Sequence, residues 1–222
     1  MTITILTLAI GKDYCKSLMA AFESKKQYAS KNGYTYIQGG ESYWDRTRPI
    51  AWSKVKFILD QLSNLPEGAI VWQSDADVLI TNMDLKLEDH VLPLLPLNKD
   101  LLMTYDACHH INSGNILMRN TKWTRDFWKR VNDRVDCTYH IWWENMAMIK
   151  LMEENEEDRN NIEITNNHKR FNAYIMGLPD EPLWEPGDFL VHFAGIYKPE
   201  KMQQLIESIQ EGNIPRLNMY SP

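Results

Sequence analysis

What this chain lacks removes several classes of protein at the outset. Among its 222 residues are only three cysteines, Cys15, Cys108 and Cys137, at unrelated spacings. An odd number without ligand spacing matches neither a disulfide framework nor a zinc knuckle, so reduced, buried thiols are expected. No apolar run approaches the ~20 residues that span a bilayer. The opening TITILTLAI has neither the basic region nor the small-residue cleavage site of a secretory signal. The expectation is a soluble, cytoplasmic protein with no membrane segment: bacterial, virus-encoded, or an excised catalytic domain. Excess positive charge is missing too. The formal net charge is -6, with lysines and arginines dispersed, which excludes the basic stripe that a nucleic-acid backbone requires. There is no internal repeat, no low-complexity linker and no Gly-rich phosphate loop.

What is present suits one compact domain. Hydrophobic residues make up 44% of the chain, enough for one sizeable core and too few for two full domains. Residues 2–10 are β-branched and nearly all apolar, as in a strand covered on both faces. Residues 15–32 place Leu18, Phe22 and Ala29 near one helical face and Gly33 as a left-handed cap. YTYIQ alternates as a second strand. A helix from Trp52 carries Val55, Ile58, Leu59 and Leu62 at helical spacing, and AIVWQ is the next strand. Strand, helix, strand, helix, strand is the pattern of a parallel sheet with crossover helices. Further on, LLMTY, GNILMR and DFLVHF read as strands. Residues 123–135, 142–152 and those from Pro199 read as helices. The acidic run at residues 153–158 reads as a solvated helix end or loop.

The stretch VWQSDADVLITN runs an apolar strand into two acids and back to apolar residues. Buried charge is costly unless it is paired or bound to a cation. Aspartates at i and i+2 of an extended segment project to the same side, so Asp75 and Asp77 converge while Ala76 points away. Carboxylate oxygens suit Mg²⁺ or Mn²⁺. The carboxyl end of a strand in such a sheet is also where ligands bind.

IVWQSDADVLITN resembles the Asp-x-Asp motif of GT-A glycosyltransferases. AWSKVKFIL resembles the W-x-K helix start of glycosyltransferase family 34, the galactosyl- and xylosyltransferase group. INSGNILMRNTKWTRDFW resembles that family's Asn-Ser-Gly strand and following helix, RFNAY its late Phe-Asn segment, and GDFLVHFAGIYKPE its His-Phe-x-Gly terminus. Two features depart from it. Lys198 stands six residues after His192, closer to the H-x-x-G-x-x-K-P pattern of family 8. HIWWENMAM offers Glu144 and Asn145 where both families place an acid-Gln pair.

The resemblance implies an α/β GT-A fold: a Rossmann-like, mostly parallel central sheet flanked by helices, with a small antiparallel addition. It implies a single catalytic domain over 1–222, with a nucleotide-binding half at 1–105 and an acceptor-side half at 106–222. The implied activity is metal-dependent transfer from a nucleotide-diphosphate donor, a UDP-sugar with Mn²⁺ or Mg²⁺, to a hydroxyl of a glycan or glycoprotein acceptor, with retention; inversion would instead need a carboxylate such as Asp106, Glu144 or Asp188 to take the acceptor proton. Asp75, Asp77 and His192 would hold the metal, and Lys198 and Gly195 would lie at the diphosphate. Lys54, Asn112 and Ser113 would lie near the donor, and Asp106 and Glu144 near the sugar. Tyr14, just after the first strand, is placed to stack on the base.

Each residue also has a plainer reading. His192 sits in an apolar strand as a core histidine does. Lys54, Lys198, Arg46 and Arg48 have the look of surface charges, and Asn112 to Gly114 and Asp188 that of turns. Trp142, Trp143 and Trp184 offer faces for pyranose rings, although Trp142, Met146 and Ile149 also form a helical core stripe. His109 and His110 lack a carboxylate or cysteine at ligand spacing and are set aside. Two other functions fit paired aspartates or abundant aromatics: metal-dependent nucleotidyl transfer or phosphoester hydrolysis, and non-catalytic carbohydrate binding.

Overall fold

A computed structural model of the protein describes residues 2–217; Met1 and residues 218–222, the ends of the expected 1–222 domain, lie outside it. The first half alternates as its periodicity predicts: β1 (Ile3–Leu8), α1 (Lys12–Ser17), α2 (Met19–Asn32), β2 (Thr35–Gly39), α3 (Ser53–Asn64), β3 (Ile70–Ser74) and β4 (Val78–Ile80). A short α4 (Leu87–His90) leads to β5 (Leu101–Tyr105), β6 (Ile111–Arg119), α5 (Lys122–Asn132), α6 (Trp143–Glu154) and α7 (Glu156–Asn161). The chain closes with β7 (Ile162–Thr165), α8 (His168–Phe171), β8 (Ala173–Tyr174), β9 (Leu190–His192) and α9 (Pro199–Gln210). The single helix expected over 15–32 is two helices broken at Leu18. α2 ends on Gly33 at φ 71°, a left-handed position that glycine occupies without steric cost.

Six strands form the main sheet in the order β2-β1-β3-β6-β5-β7. β1 pairs in parallel with β2 and β3, and β5 with β7; β6 runs antiparallel to both β3 and β5. The mostly parallel α/β sheet is therefore present, with β6 as its one reversed strand. A second sheet has the order β4-β9-β8. Its β4/β9 pair is antiparallel and β8 joins β9 in parallel, so the small addition is mixed. The long return between β8 and β9 makes the parallel pairing possible, since such a connection cannot be a hairpin.

Two cores sandwich the main sheet. On one face α3, α5 and α6 pack Phe57, Ile58, Trp128 and Met148 against Leu6, Val71 and Met118. On the other, Tyr28 of α2, Leu87 of α4 and Phe171 of α8 meet Ile5, Trp72 and Leu117. β4 alternates between layers. Val78 and Ile80 face that second core, while Leu79 faces a third, formed with α9 by Phe22, Val191, Leu205 and Ile206. Among the described residues no helix is long and apolar enough to cross a membrane.

Two expectations fail here. The acidic run at 153–158 is not wholly solvated, because Asp158 is buried, paired to Arg130 and bonded to the indole N–H of Trp123. α5 presents both partners to it. Of the cysteines, Cys137 alone is fully buried; Cys15 and Cys108 are half-buried, since they lie in α1 and in the loop after β5, at the rim of the sheet.

Asn120 ties the end of β6 to the end of α3. Its Nδ2 donates to the carbonyls of Leu62, Leu65 and Pro66 at 3.0, 2.9 and 3.0 Å. Asn120→Ala strips three carbonyls of one donor and is expected to cost about 1–3 kcal/mol. Thermal unfolding should fall by about 2–4 °C per kcal/mol; a melting temperature unchanged to within about 1 °C would refute the clamp.

Candidate active site

Asp75 extends β3 by one step, its N–H donating to the carbonyl of Gly114 at 2.7 Å. The Val78 N–H returns to the carbonyl of Asp75 at 3.2 Å, and that of Phe193 reaches the carbonyl of Asp77 at 3.0 Å. Residues 75–78 are therefore a turn that carries the chain from the main sheet into the small one. In the small sheet Val78 is in register with His192. One ligand atom each from Asp75, Asp77 and His192 lies within 4.8 Å of the other two, and His192 Nε2 is 3.4 Å from Asp77 Oδ1. The imidazole reaches this place across a missing side chain: a Cβ on Gly114 would lie 2.1 Å from His192 Cε1. Two carboxylate oxygens and one imidazole nitrogen form a donor set suited to Mn²⁺ or Mg²⁺.

The charges beneath this corner are dense. Lys54 Nζ lies 3.1 and 3.2 Å from the two oxygens of Asp75, 2.9 Å from Glu144 Oε1 and 3.1 Å from Ser113 Oγ. Lys25 is fully buried, and its Nζ donates to the carbonyls of Asp75 and Ala76 at 2.6 and 3.3 Å. Burial lowers the affinity of any ammonium for its proton. In Lys54 that effect is overcome by Asp75 and Glu144, and its pKa stands well above the ordinary value. In Lys25, whose hydrogen bonds go to carbonyls, burial prevails against Asp77 and Asp75, and the pKa falls to about 7. Burial raises that of Asp75, opposed by Lys54 and reinforced by Asp77. In Asp77 burial is outweighed by His192, and its carboxyl stays below the ordinary range. The Tyr14 phenol is held high by burial and then by Asp77 and Asp75. The corner thus carries a negative field that a divalent cation would relieve.

The other expected residues fall into three groups. Lys54, Ser113 and Glu144 form one buried cluster behind the acids. Lys54 thus touches Asp75 directly, because the start of α3 aims it at the end of β3. Ser113 Oγ donates to Glu144 at 2.9 Å, and Ser113 N–H to Asn145 Oδ1 at 2.9 Å. Glu144 is 3% exposed, so it meets Lys54 and Ser113 within the protein. Asn112 Oδ1 accepts the Gly114 N–H at 2.8 Å. A second group shapes loops. Asp106 accepts the N–H groups of Cys108 and His110 at 2.8 and 2.9 Å, and Asp188 accepts that of Glu185 at 2.8 Å. The third group stays exposed. Gly195 sits at φ 80°, and Lys198, which starts α9, makes no hydrogen bond or ion pair to the acids among the described residues.

Of the tryptophans, Trp184 is buried and donates to Thr81 Oγ1, and Trp143 packs at the edge of a core. Trp142 is 37% exposed and lies between the rings of His110 and His140. Arg46 stacks over Trp44, and Arg48 binds the Asn132 carbonyl. His109 pairs with Glu181, and no metal cluster forms at His109 and His110 among the described residues.

A cavity of about 380 Å³ opens beyond the carboxyl ends of β1 and β2, lined by Ala9, Gly11, Lys12, Cys15, Gln38 and Glu41 among others. A larger one, about 590 Å³, lies between α2, β4 and Trp184 and contains none of the three candidate ligands. The chemistry, more than the volume, locates the site.

Sequence reasoning missed three contributors. Lys25 lies on the buried stripe of Leu18, Phe22 and Ala29, where a lysine is itself a signal. Gln73 of β3, two residues before Asp75, donates to Asp75 Oδ1 at 2.8 Å. Asn172, within RFNAY, is buried and bonded to His192 Nδ1 at 2.9 Å; the motif marked the segment, but its bond to His192 has no local signature.

A mixed sheet whose central strand ends in an Asp-x-Asp turn, faced by a histidine from a small second sheet, defines a GT-A glycosyltransferase fold. The chain belongs to the galactosyl transferase GMA12/MNN10 family, whose profile matches residues 2–104 and 96–203. An uncharacterised α-1,2-galactosyltransferase of Schizosaccharomyces pombe is 26% identical, over 79% of this chain and 55% of its own length. The chain spans about half the length of the curated relatives it matches. Among solved structures, a glycosyltransferase involved in glycosylation of the major capsid of PBCV-1 superposes with a TM-score of 0.74 at 16% identity, covering 93% of this chain and 99% of that one. The galactosyltransferase LgtC, in complex with donor and acceptor sugar analogues, gives 0.54 at 12%, covering 92% and 95%. Both likenesses bear on the fold.

Removing one partner of a buried ion pair strands the other. Lys54→Met is expected to cost about 3–5 kcal/mol by leaving Glu144 buried and unpaired. The double variant Lys54→Met/Glu144→Gln should be more stable than Lys54→Met alone, by urea unfolding in a double-mutant cycle. Additive effects would show that the two side chains are not coupled.

Proposed function

We propose that the protein is a metal-dependent glycosyltransferase that moves a sugar from a UDP-sugar donor to a hydroxyl of a glycan or glycoprotein acceptor, with retention at the anomeric carbon. The observation that carries this reading is the Asp75, Asp77 and His192 cluster at the carboxyl end of β3, beside the cavity beyond β1 and β2. In an α/β sheet that edge is where nucleotides bind. The cavity takes the uridine, Tyr14 of the adjoining α1 stacks on its base, and the diphosphate runs from it to the acids.

Mn²⁺ or Mg²⁺, when bound, supplies Lewis acidity that neutralises the leaving diphosphate. Asp75, Asp77 and His192 are the residues that hold it. Lys198 and the backbone around Gly195, close behind His192 in sequence, bind the diphosphate, and the lysine offsets the charge that builds as the sugar–phosphate bond breaks. Asn112 and Ser113 hold the wall of the sugar site. Glu144 positions Ser113 and Lys54, and Asp106 orders the loop at the acceptor side.

Retention is supported by the state of the nearby carboxylates. Asp75 and Glu144 are tied to Lys54, while Asp106 and Asp188 accept turn N–H groups. Asp75 and Glu144, each held by an ammonium, are poor general bases of the kind an inverting transfer needs. The names of the relatives favour a hexose donor, UDP-galactose first.

The test is thermal unfolding with UDP, with and without Mn²⁺. Ligand binding to the folded state stabilises it by about 2.7 kcal/mol at a hundredfold excess over Kd, so Mn²⁺ and UDP together should raise the melting temperature by several degrees. Asp77→Ala and His192→Ala should each erase that rise. No metal-dependent rise in the wild-type protein would overturn the reading. Slow donor hydrolysis across a UDP-sugar panel, with NMR of the released anomer, reads the donor and the stereochemistry.

A further inference from the structure

His192 serves as a metal ligand through Nε2 only if that nitrogen is unprotonated, and in a neutral imidazole this requires the proton on Nδ1. Which tautomer forms depends on the group that faces Nδ1. That group is the side chain of Asn172, at 2.9 Å. An amide offers an oxygen or an NH₂, and the two are distinguished by their remaining partners.

Those partners leave one solution. The indole N–H of Trp72 can only donate, and it lies 3.0 Å from Asn115 Oδ1. Asn115 therefore turns its NH₂ away from Trp72, toward Asn172 Oδ1 at 2.8 Å. A second fixed donor acts from the other side. The Gly114 N–H, 2.8 Å from Asn112 Oδ1, holds that oxygen as an acceptor, so the Asn172 atom 3.0 Å away must be its NH₂. The same NH₂ donates to Thr104 Oγ1 at 3.0 Å. Both chains of donors place the Asn172 oxygen at His192, where only an Nδ1–H satisfies it.

We infer that Asn172 is a positioning residue that selects the Nδ1–H tautomer of His192 and so leaves Nε2 open toward Asp77, with Trp72 and Gly114 fixing the Asn172 amide through Asn115 and Asn112. The inference rests on the proposed metal-dependent reading for its purpose, and on hydrogen-bond geometry alone for its content. Trp72 thereby contributes to the metal site from inside the hydrophobic core. Asn115 and Asn172 are both fully buried, so water does not offer the imidazole a substitute acceptor.

The experiment has two readouts. Long-range ¹H–¹⁵N correlation of the imidazole nitrogens in ¹⁵N-histidine-labelled protein, with His192 assigned by His192→Gln, reports the tautomer directly. In the metal-free wild-type protein at alkaline pH, His192 should be protonated on Nδ1 and not on Nε2, against the pull of Asp77 Oδ1 at 3.4 Å from Nε2; the opposite tautomer overturns the inference without any variant. Mn²⁺ affinity, measured as free ion by electron paramagnetic resonance, is the second readout. Asn172→Leu should lose about 10–100-fold in affinity and gain Nε2–H signal. Trp72→Phe, which keeps an aromatic ring and removes the donor together with part of the indole's volume, should lose less and shift the tautomer in the same direction. A folded Asn172→Leu protein that binds Mn²⁺ as well as wild type overturns the inference. A wild-type protein that binds no Mn²⁺ refutes the functional reading instead, and leaves the tautomer to be decided by the NMR spectrum.

Discussion

Three carboxylates, those of Asp75, Asp77 and Glu144, share one corner at the end of β3, and the protein has to keep them there without a cation as well as with one. Gathering like charges away from water is among the costliest arrangements a fold can hold. The architecture supplies the counter-charge from both sides of the sheet. Lys54 starts α3, which packs on one face, and Lys25 lies in α2, which packs on the other. The two lysines are not equivalent. Lys54 reaches carboxylate oxygens and is held firmly charged, whereas Lys25 reaches backbone carbonyls of the turn and holds its shape. The acids keep a net surplus on the open side, which suits the corner to a metal ion.

The same constraint explains why two sheets are needed. A turn hydrogen-bonded only to the main sheet would leave Asp77 without a fixed direction. By ending in β4, paired to β9, the turn places Asp77 beside His192 through a strand register. β9 is in turn pinned between α9 and the core around Trp72. Gly114 lets the imidazole reach across from that second sheet onto the first. The geometry of three ligands is thus set by two ladders, with no ligand resting on a free loop.

How much of this was legible in the sequence follows from how local each feature is. The strand and helix order and the apolar stripes are written in short-range periodicity, and they were read nearly to the residue for LLMTY and for the helix from Pro199. Asp75 and Asp77 stood out because acids in an apolar strand are anomalous. His192 required the resemblance, since a histidine in an apolar strand has a plainer meaning. Lys25 carries the same signal as the aspartates: a lysine among Leu18, Phe22 and Ala29 on a buried face asks for a partner. Glu144 and Lys54 were each picked out, but their pairing across ninety residues of sequence was not visible. Asp158 was hidden in an acidic run whose other members are solvated.

The amide network around His192 shows why such features resist sequence reading and also why they take this form. Asn112, Asn115 and Asn172 come from one strand and one distant loop, and no short stretch shows that they bond to one another. A carboxylate in place of Asn172 would also hold the Nδ1–H, as carboxylates commonly do behind metal-bound histidines. Here it would add a fourth acid to a corner that already strains to balance three. It would also turn an oxygen toward Asn112 Oδ1, which the Gly114 N–H holds as an acceptor. An amide fixes the imidazole without adding charge, and satisfies the acceptors on its other side with the same group. The burden of charge at the aspartates and the choice of neutral partners behind the histidine are consequences of one electrostatic limit.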